Sequence, residues 1–156
     1  MSPSELMEAA IEACQRGLAA GQSPFGCAIL LDGELVAASH NTVELTTDIT
    51  AHAEVNALRE ACTNTGEILL DGAIVATTCE PCPMCMSALH WARVETVYYG
   101  ATIDDAAAAG FNELTLPASE VLRIGGSGVR LIGETLREPC RQLFDQWLAN
   151  PDRTVY

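Results

Sequence analysis

The sequence of 156 residues contains no lysine and only eight arginines, against 21 aspartate and glutamate residues, and its net charge is therefore −13. Proteins that bind nucleic acids usually carry a basic face that displaces counterions from the phosphate backbone. A surface as acidic as this one repels polyanions, so we expect no nucleic-acid partner. The acidity itself favours solubility and says little about the fold or the chemistry.

Long apolar runs are also missing. No stretch approaches the roughly 20 apolar residues that span a bilayer, because Gly, Asp and Glu interrupt the apolar segments. The sequence has no apolar run behind a basic patch of the kind that marks a secretion signal. Seven is an odd number of cysteines, so they cannot all pair in disulfides. We therefore expect no membrane association and a reducing, cytoplasmic location.

Predicted helices and strands alternate along what we expect to be one domain, residues 1–156, without internal repeats. In chain order they are helix 4–20, strands 26–31 and 34–39, helix 51–65, strand 73–78, helix 83–93, strand 94–100, helix 104–111, strand 127–133 and helix 137–149. Ser4 and Thr50 are the predicted N-caps of the first two helices. The Asp32-Gly33 pair predicts a tight hairpin turn. The later strand–helix–strand order predicts a parallel pair of strands and an α/β fold.

The stretch TCEPCPMC (78–85) contains three of the seven cysteines. Cys82 and Cys85 are spaced to bind one metal ion from the first turn of a helix, where free N–H groups and the helix dipole favour the thiolate. Zinc in catalytic sites takes three protein ligands and a water, and His52, at the start of another predicted helix, is the candidate third ligand. Glu54 follows two residues later and is a candidate base for moving the protons of a metal-activated water.

Other interpretations of these cysteines remain open. A structural zinc site would recruit Cys79 as a fourth ligand. An isolated C-x-x-C pair is typical of a redox dithiol, and Cys82 and Cys85 would form a disulfide only in an oxidising compartment. The combination of H-x-E with P-C-x-x-C favours a zinc deaminase, in which the glutamate shuttles protons and does not bind the metal. We expect the remaining cysteines to be small buried hydrophobic residues, and His40 and His90 to be structural or pocket-lining.

The motifs extend over nearly the whole chain. They are PFG (24–26), TAHAEVNALR (50–59), TCEPCPMCMSALHWARV (78–94) and VYYG (97–100). Together with the hairpin they resemble the cytidine-deaminase-like superfamily of zinc deaminases. Within it, DAAAAGFNE (105–113) and the C-terminal Tyr156 are similar to features of the guanine deaminases. The resemblance implies a three-layer α/β/α sandwich with a central mixed five-stranded sheet, and the hydrolysis of guanine to xanthine and ammonia.

The resemblance also implies roles for individual residues. One Zn²⁺ per chain would be bound by His52, Cys82 and Cys85. Protons would be moved by Glu54 and, at the leaving amine, by Glu113. The substrate would be contacted by Asn41, Phe25, Ala53, Trp91, Phe111 and Tyr156. Asn41 suits a purine edge because an amide both donates and accepts hydrogen bonds. The chain departs from the family at Asn112-Glu113, where an Asp-Asp pair is familiar.

The resemblance implies a small nucleobase as the partner and a function in purine catabolism. It also implies a homodimer whose subunits exchange their C-terminal segments. Three alternative functions stay open. The first is a deaminase of another amino-heterocycle or nucleoside, such as guanosine, cytosine or a triazine. The second is a tRNA adenosine deaminase, which the net charge of −13 disfavours. The third, from a different class, is a non-catalytic binding module that zinc stabilises.

Overall fold

A mixed five-stranded sheet forms the centre of the protein, in a computed structural model that describes residues 1–156. The strands are β1 (Gly26–Leu31), β2 (Glu34–His40), β3 (Ile74–Cys79), β4 (Thr96–Ala101) and β5 (Arg130–Ile132). The helices are α1 (Pro3–Ala19), α2 (Val43–Thr46), α3 (Ala53–Thr65), α4 (Pro83–Trp91), α5 (Ile103–Ala108), α6 (Ala118–Gly125) and α7 (Arg137–Leu148). None of the helices is both long enough and apolar enough to cross a membrane.

The strand order in the sheet is β2-β1-β3-β4-β5. β1 pairs antiparallel with both β2 and β3, whereas β3, β4 and β5 run parallel to one another. Asp32 and Gly33 join β1 to β2 with φ angles of 52° and 83°, as a primed hairpin turn requires. The predicted hairpin and the predicted parallel pair are both confirmed.

Each face of the sheet is covered by its own layer of helices. On one face, α3, α4 and α6 pack against side chains such as Ile29, Val75 and Val97. On the other face, α1, α5 and α7 pack against Ala28 and Ala76. The chain is therefore a three-layer α/β/α sandwich, as the resemblance implied.

Several helix boundaries differ from the sequence-based predictions. The N-cap of α1 lies two residues earlier than predicted, since Ser2 and not Ser4 caps the helix and forms a capping box with Glu5. Thr50 does not cap α3, which begins after His52. The short helices α2 and α6 were not predicted, because both lie in segments that read as polar or irregular connections. Of these, α6 matters most for the site, since it follows the segment that carries Glu113.

Gly26 marks the closest approach of α1 to the sheet. A methyl group at this position would lie less than 3.0 Å from the carbonyl oxygen of Ala10 and from two atoms of Cys14. The obstacle is mainly helix backbone, which cannot rotate away. We therefore expect Gly26→Ala to lower the free energy of unfolding by about 3 kcal/mol, measured by urea denaturation.

Gly125 provides the matched control for this substitution. It lies at the end of α6, and a methyl group there would meet no atom within 4 Å. Gly125→Ala should leave stability unchanged or raise it by up to about 1 kcal/mol, because alanine favours helix and restricts the unfolded chain. Equal unfolding free energies for the two variants would contradict the close-packing argument.

Candidate active site

Two helix N-termini converge near the carboxyl end of β3. His52 is the N-cap residue of α3 and Cys82 is the N-cap residue of α4. Neither side chain caps its own helix, so both are free to point toward each other. Cys85 lies one turn along α4 and is fully buried. The sequence thus places one donor at each helix start and a third donor one turn later.

The three donor atoms are spaced for a single zinc ion. The Nδ1 atom of His52 lies 3.7 Å from Sγ of Cys82 and 3.5 Å from Sγ of Cys85, and all three atoms lie within 4.8 Å of one another. Ligands at about 2.3 Å and 2.1 Å from a tetrahedral zinc lie roughly 3.6 Å apart. The distances and the two-sulfur, one-nitrogen donor set therefore fit zinc, with one coordination position left for a water.

The two ligand sulfurs differ in their affinity for a proton. A hydrogen bond from the Cys85 thiol, with a further one from His52, lowers the pKa of Cys82 to about 4. The same Cys85–Cys82 hydrogen bond and burial raise the pKa of Cys85 well above its usual value. Cys82 is therefore the more acidic of the two thiols, and a cation that takes both sulfurs displaces the proton of Cys85.

Cys79 does not join this cluster. Its Sγ lies 3.4 Å from the carbonyl oxygen of Thr102 and donates to it, and burial raises its pKa well above the usual value. A four-ligand structural zinc site that includes Cys79 is thus not what the structure shows. All seven cysteines are free, so Cys82 and Cys85 do not form a disulfide.

Glu54 lies in the first turn of α3, two residues after the histidine ligand, and is 6% exposed. Burial raises the pKa of its carboxyl group, which moves the pKa toward the range that suits proton exchange near neutral pH. The hydroxyl of Thr77 on β3 donates to Oε1 of Glu54 at 3.2 Å. Thr77 was not among the predicted site residues, although a polar residue in an otherwise apolar, buried strand was the available signal.

Glu113 reaches the same place from a distant part of the chain. A cavity of about 20 Å³, enough for one water molecule, is lined by Phe25, His52, Glu54, Cys79, Glu80, Cys82 and Glu113. Burial, and then the neighbouring Cys82 sulfur, raise the pKa of Glu113 to about 7. Three glutamates and two of the three candidate zinc ligands thus line one small space.

A larger cavity of about 270 Å³ opens from this point toward solvent. Its inner wall includes His52, Cys82 and Glu113. Its outer rim is apolar and includes the exposed side chains of Ile49 and Leu114. The cavity can admit a small, flat molecule and present it to the buried carboxyl groups.

Aromatic rings build one wall of the site. Phe25 and Phe111 meet edge to face, with ring centroids 5.0 Å apart, and Tyr156 meets Phe111 in the same way at 5.6 Å. Phe111 also stacks on Trp147 of α7 at 4.7 Å. Helix α7 therefore supports this wall from behind, although the sequence patterns assigned it no role in the site.

Asn41 is buried beside the chain terminus. Its Nδ2 donates to the hydroxyl of Tyr156 at 2.7 Å, and its Oδ1 accepts the N–H of Val43 at 3.0 Å. The residue thus builds a local turn and also holds the C-terminal tyrosine of the same chain. One N–H and one lone pair of the amide have no partner, but the side chain is 1% exposed and lines neither cavity of the site.

Comparison with known proteins agrees with this geometry. Residues 1–101 match the cytidine and deoxycytidylate deaminase zinc-binding region. The chain belongs to this deaminase family. Guanine deaminase of Bacillus subtilis (strain 168) is 42% identical over 127 residues, which cover 77% of this chain and 81% of that protein. A tRNA-specific adenosine deaminase of Agrobacterium fabrum is 38% identical over 98 residues, or 63% of this chain and 64% of that protein.

A solved structure of guanine deaminase from Nitrosomonas europaea superimposes with a TM-score of 0.86 at 27% identity. The superposition covers 96% of this chain and 86% of that one. The match includes the segment after β4, so the likeness of this deaminase to that structure is not confined to its zinc-binding half.

Two predicted pocket residues lie elsewhere in this deaminase. Trp91 is 79% exposed and lines a separate cleft between α4 and α6. It follows Cys85 by six residues, a rotation of roughly 240° around the helix, so its side chain leaves the ligand face. Ala53, the first residue of α3, is fully buried in the core and lines neither cavity of the site.

Proposed function

We propose that residues 1–156 act as one zinc-dependent deaminase domain that hydrolyses guanine to xanthine and ammonia. The observation that carries this proposal is the shared cavity of Glu54 and Glu113 at the zinc-ligand cluster. A hydrolytic deaminase must move protons both to the ring and to the leaving amine, and two carboxyl groups with raised pKa values suit this task. The identity with the guanine deaminase of B. subtilis supports guanine as the substrate.

Glu54 would carry out the first proton transfer. His52, Cys82 and Cys85 would hold the zinc ion, which would supply a water whose pKa is lowered toward 7. Glu54 would accept the proton of the attacking water and deliver it to the ring nitrogen next to C2. That nitrogen would take the electron pair of the C2–N double bond as the water oxygen bonds to C2. Thr77 holds Oε1 of Glu54 by its hydrogen bond and so keeps the carboxylate oriented during the transfer.

Glu113 would assist the second transfer. The C2–N bond breaks only when the amino group leaves as ammonia, which requires one more proton on that nitrogen. The C2 hydroxyl would give up its own proton to Glu54 in this step and so become the carbonyl of xanthine. With a pKa of about 7, Glu113 holds a proton in a large fraction of molecules at neutral pH and can donate it. Glu54 on α3 and Glu113 on the connection between α5 and α6 line the same cavity, so each can serve its own step.

The remaining pocket residues would orient the base. Phe25 and Phe111 provide apolar faces for the purine ring. Asn41 would use its free N–H and lone pair on a base edge that both donates and accepts. Tyr156 closes the pocket from the C-terminus through its bond to Asn41.

Replacement of Glu113 by glutamine tests its role. An amide cannot donate a proton to the leaving amine, so we expect kcat on guanine to fall about 10²-fold with little change in zinc content. Ammonia release under saturating guanine is the measurement. Glu8→Gln, an exposed change of the same charge on α1, is the control. A fall in kcat of less than about threefold would show that Glu113 is an ordinary loop carboxylate with no part in turnover.

The substrate is tested by ammonia release from a panel of guanine, guanosine, adenine, cytosine and a triazine, with zinc-replete protein. We expect guanine to have the highest kcat/KM. Turnover of another ring with guanine unchanged would disprove the substrate and keep the reaction class. No ammonia from any compound, with zinc bound, would instead support a non-catalytic module.

A gel shift with tRNA addresses the relatives that act on tRNA. The chain has eight arginines, no lysine and a net charge of −13, and tRNA-specific adenosine deaminases are similar to it over 98 residues. We expect no complex with tRNA at physiological salt, because the phosphate backbone is repelled. A stable complex would favour the tRNA deaminase alternative.

We also propose a cytoplasmic homodimer that functions in purine catabolism. Seven free cysteines are consistent with a reducing compartment. Exposed apolar side chains at the cavity rim, including Ile49 and Leu114, support coverage by a second subunit. In such a dimer, exchange of the C-terminal segments would replace the Asn41–Tyr156 contact within one chain by the same contact between chains. Light scattering after size exclusion measures the oligomeric state.

A further inference from the structure

Glu80 lies next to the zinc ligands and has no role in the chemistry described above. It follows β3 and precedes the Pro81-Cys82 pair. Its carboxylate accepts the backbone N–H of Ala118 at 2.9 Å through Oε1 and that of Ile103 at 3.3 Å through Oε2. Its own N–H donates to the carbonyl oxygen of Ala101 at 2.8 Å. One residue therefore links three separate parts of the chain.

The two N–H groups belong to the first residues of α5 and α6. Amides at the first turn of a helix have no partner within the helix, and the helix dipole favours a negative group at that end. A single carboxylate thus satisfies one amide in each helix through charge-assisted hydrogen bonds, which are stronger than neutral ones. We call this arrangement the Glu80 clamp: the Glu80 carboxylate with the amides of Ile103 and Ala118.

The segment between these two helices carries functional groups of the site. Residues 109–117 connect α5 to α6 and include Phe111 and Glu113. The backbone hydrogen bonds within the connection are local, from Phe111 to Ala106 and from Glu113 to Phe111, and Asn112 donates to the chain terminus. None of these bonds joins the connection to the strand that leads into the zinc ligands. The Glu80 clamp supplies this link, and it does so at both ends of the connection.

We propose that Glu80 is a positioning residue that sets the distance between Glu113 and the zinc-side carboxyl group of Glu54. The inference rests on the proposed function, because it assumes that Glu113 takes part in turnover. Glu80 itself contacts no reacting atom in this scheme. It holds the connection that carries Glu113 next to the first turn of α4. Glu54, Glu80 and Glu113 accordingly line the same cavity.

Glu80→Gln tests the clamp with the smallest change in shape. The amide keeps one acceptor oxygen but presents an N–H₂ group to the other backbone N–H, so one of the two bonds is lost. Misplacement of a catalytic group by about 1 Å can cost 10²-fold in rate. We therefore expect kcat to fall about 10- to 100-fold, with one zinc retained per chain. Glu67→Gln, an exposed change of the same charge, should leave kcat unchanged.

A double-mutant cycle separates positioning from a general structural effect. If Glu80 acts through Glu113, its loss matters little once Glu113 cannot function. In the Glu113→Gln background, Glu80→Gln should lower kcat by no more than about threefold. An equal loss in both backgrounds, loss of zinc, or an unchanged kcat in the single variant would each overturn the proposal.

Amide hydrogen exchange provides a readout that needs no substrate. In Glu80→Gln, the amides of residues 111–114 and at least one of the Ile103 and Ala118 amides should exchange about tenfold faster than in the unmodified protein. Unchanged exchange would overturn the clamp. A protein that leaves guanine unchanged would disprove the proposed function, whereas the exchange rates would still decide whether the clamp orders this segment.

Discussion

Glu54→Gln is expected to lower kcat about 10³- to 10⁴-fold and to leave one zinc bound per chain, because it removes the proton shuttle and none of the three metal ligands. Glu54 is almost fully buried beside His52, and its carboxylate accepts the hydroxyl of Thr77. Glutamine has the same size, so the cavity should stay intact. The measurements are the rate of ammonia release and metal analysis of the purified variant.

The comparison variant for this test is Glu12→Gln, an exposed change of the same charge on α1. It should keep full activity and full zinc content. A Glu54→Gln variant that retains more than about a tenth of the original kcat would refute the shuttle assignment. A variant that loses its zinc would show instead that this carboxylate helps to bind the metal.

Loss of one sulfur ligand should have an effect of similar size by a different route. Cys85→Ser replaces a buried ligand whose Sγ lies 3.5 Å from Nδ1 of His52. A hydroxyl does not provide the thiolate that zinc prefers. We expect zinc to be lost on dialysis and ammonia release to fall below detection, because no activated water remains.

Stability should follow zinc occupancy. A ligand that binds only the folded protein stabilises it by about 4 kcal/mol at a concentration 1,000 times its Kd. A chelator should therefore lower the Tm of the unmodified protein and leave the Tm of Cys85→Ser unchanged. Cys62→Ser, a half-buried cysteine outside the ligand cluster, should behave like the unmodified protein. A chelator that changes neither Tm nor activity would refute the zinc site.

Local patterns predicted a large part of the fold. The Asp32-Gly33 turn determines its hairpin through the positive φ angles of two adjacent residues. Gly66 ends α3 in the left-handed conformation for the same kind of reason. Ser2 and Ser4 are both acceptable caps by residue type, but only Ser2 is followed by Pro3 at the first helical position and by Glu5 three residues on, so the sequence itself carried the signature of the correct cap.

The candidate site likewise contains residues that local spacing predicted correctly and one that it did not. His52 with Glu54, and Cys82 with Cys85, are pairs at short spacing, so the helix starts alone bring the members of each pair together. Trp91 shows the limit of such reasoning. It belongs to the same helix as the sulfur ligands, yet its position around that helix sends the indole into another cleft.

The sequence by itself predicted the candidate zinc-ligand cluster, the glutamate two residues after the histidine, and the α/β class, because each depends on residue type and spacing within one or two elements. The family resemblance had implied Glu113, but only the tertiary structure shows which distant groups meet at the site. Glu113, the Thr77 hydroxyl, the support of Phe111 by Trp147 and the Glu80 clamp all join residues from different elements. Such contacts depend on how the layers pack and on where the connection between α5 and α6 returns to the sheet, and no local pattern encodes that path.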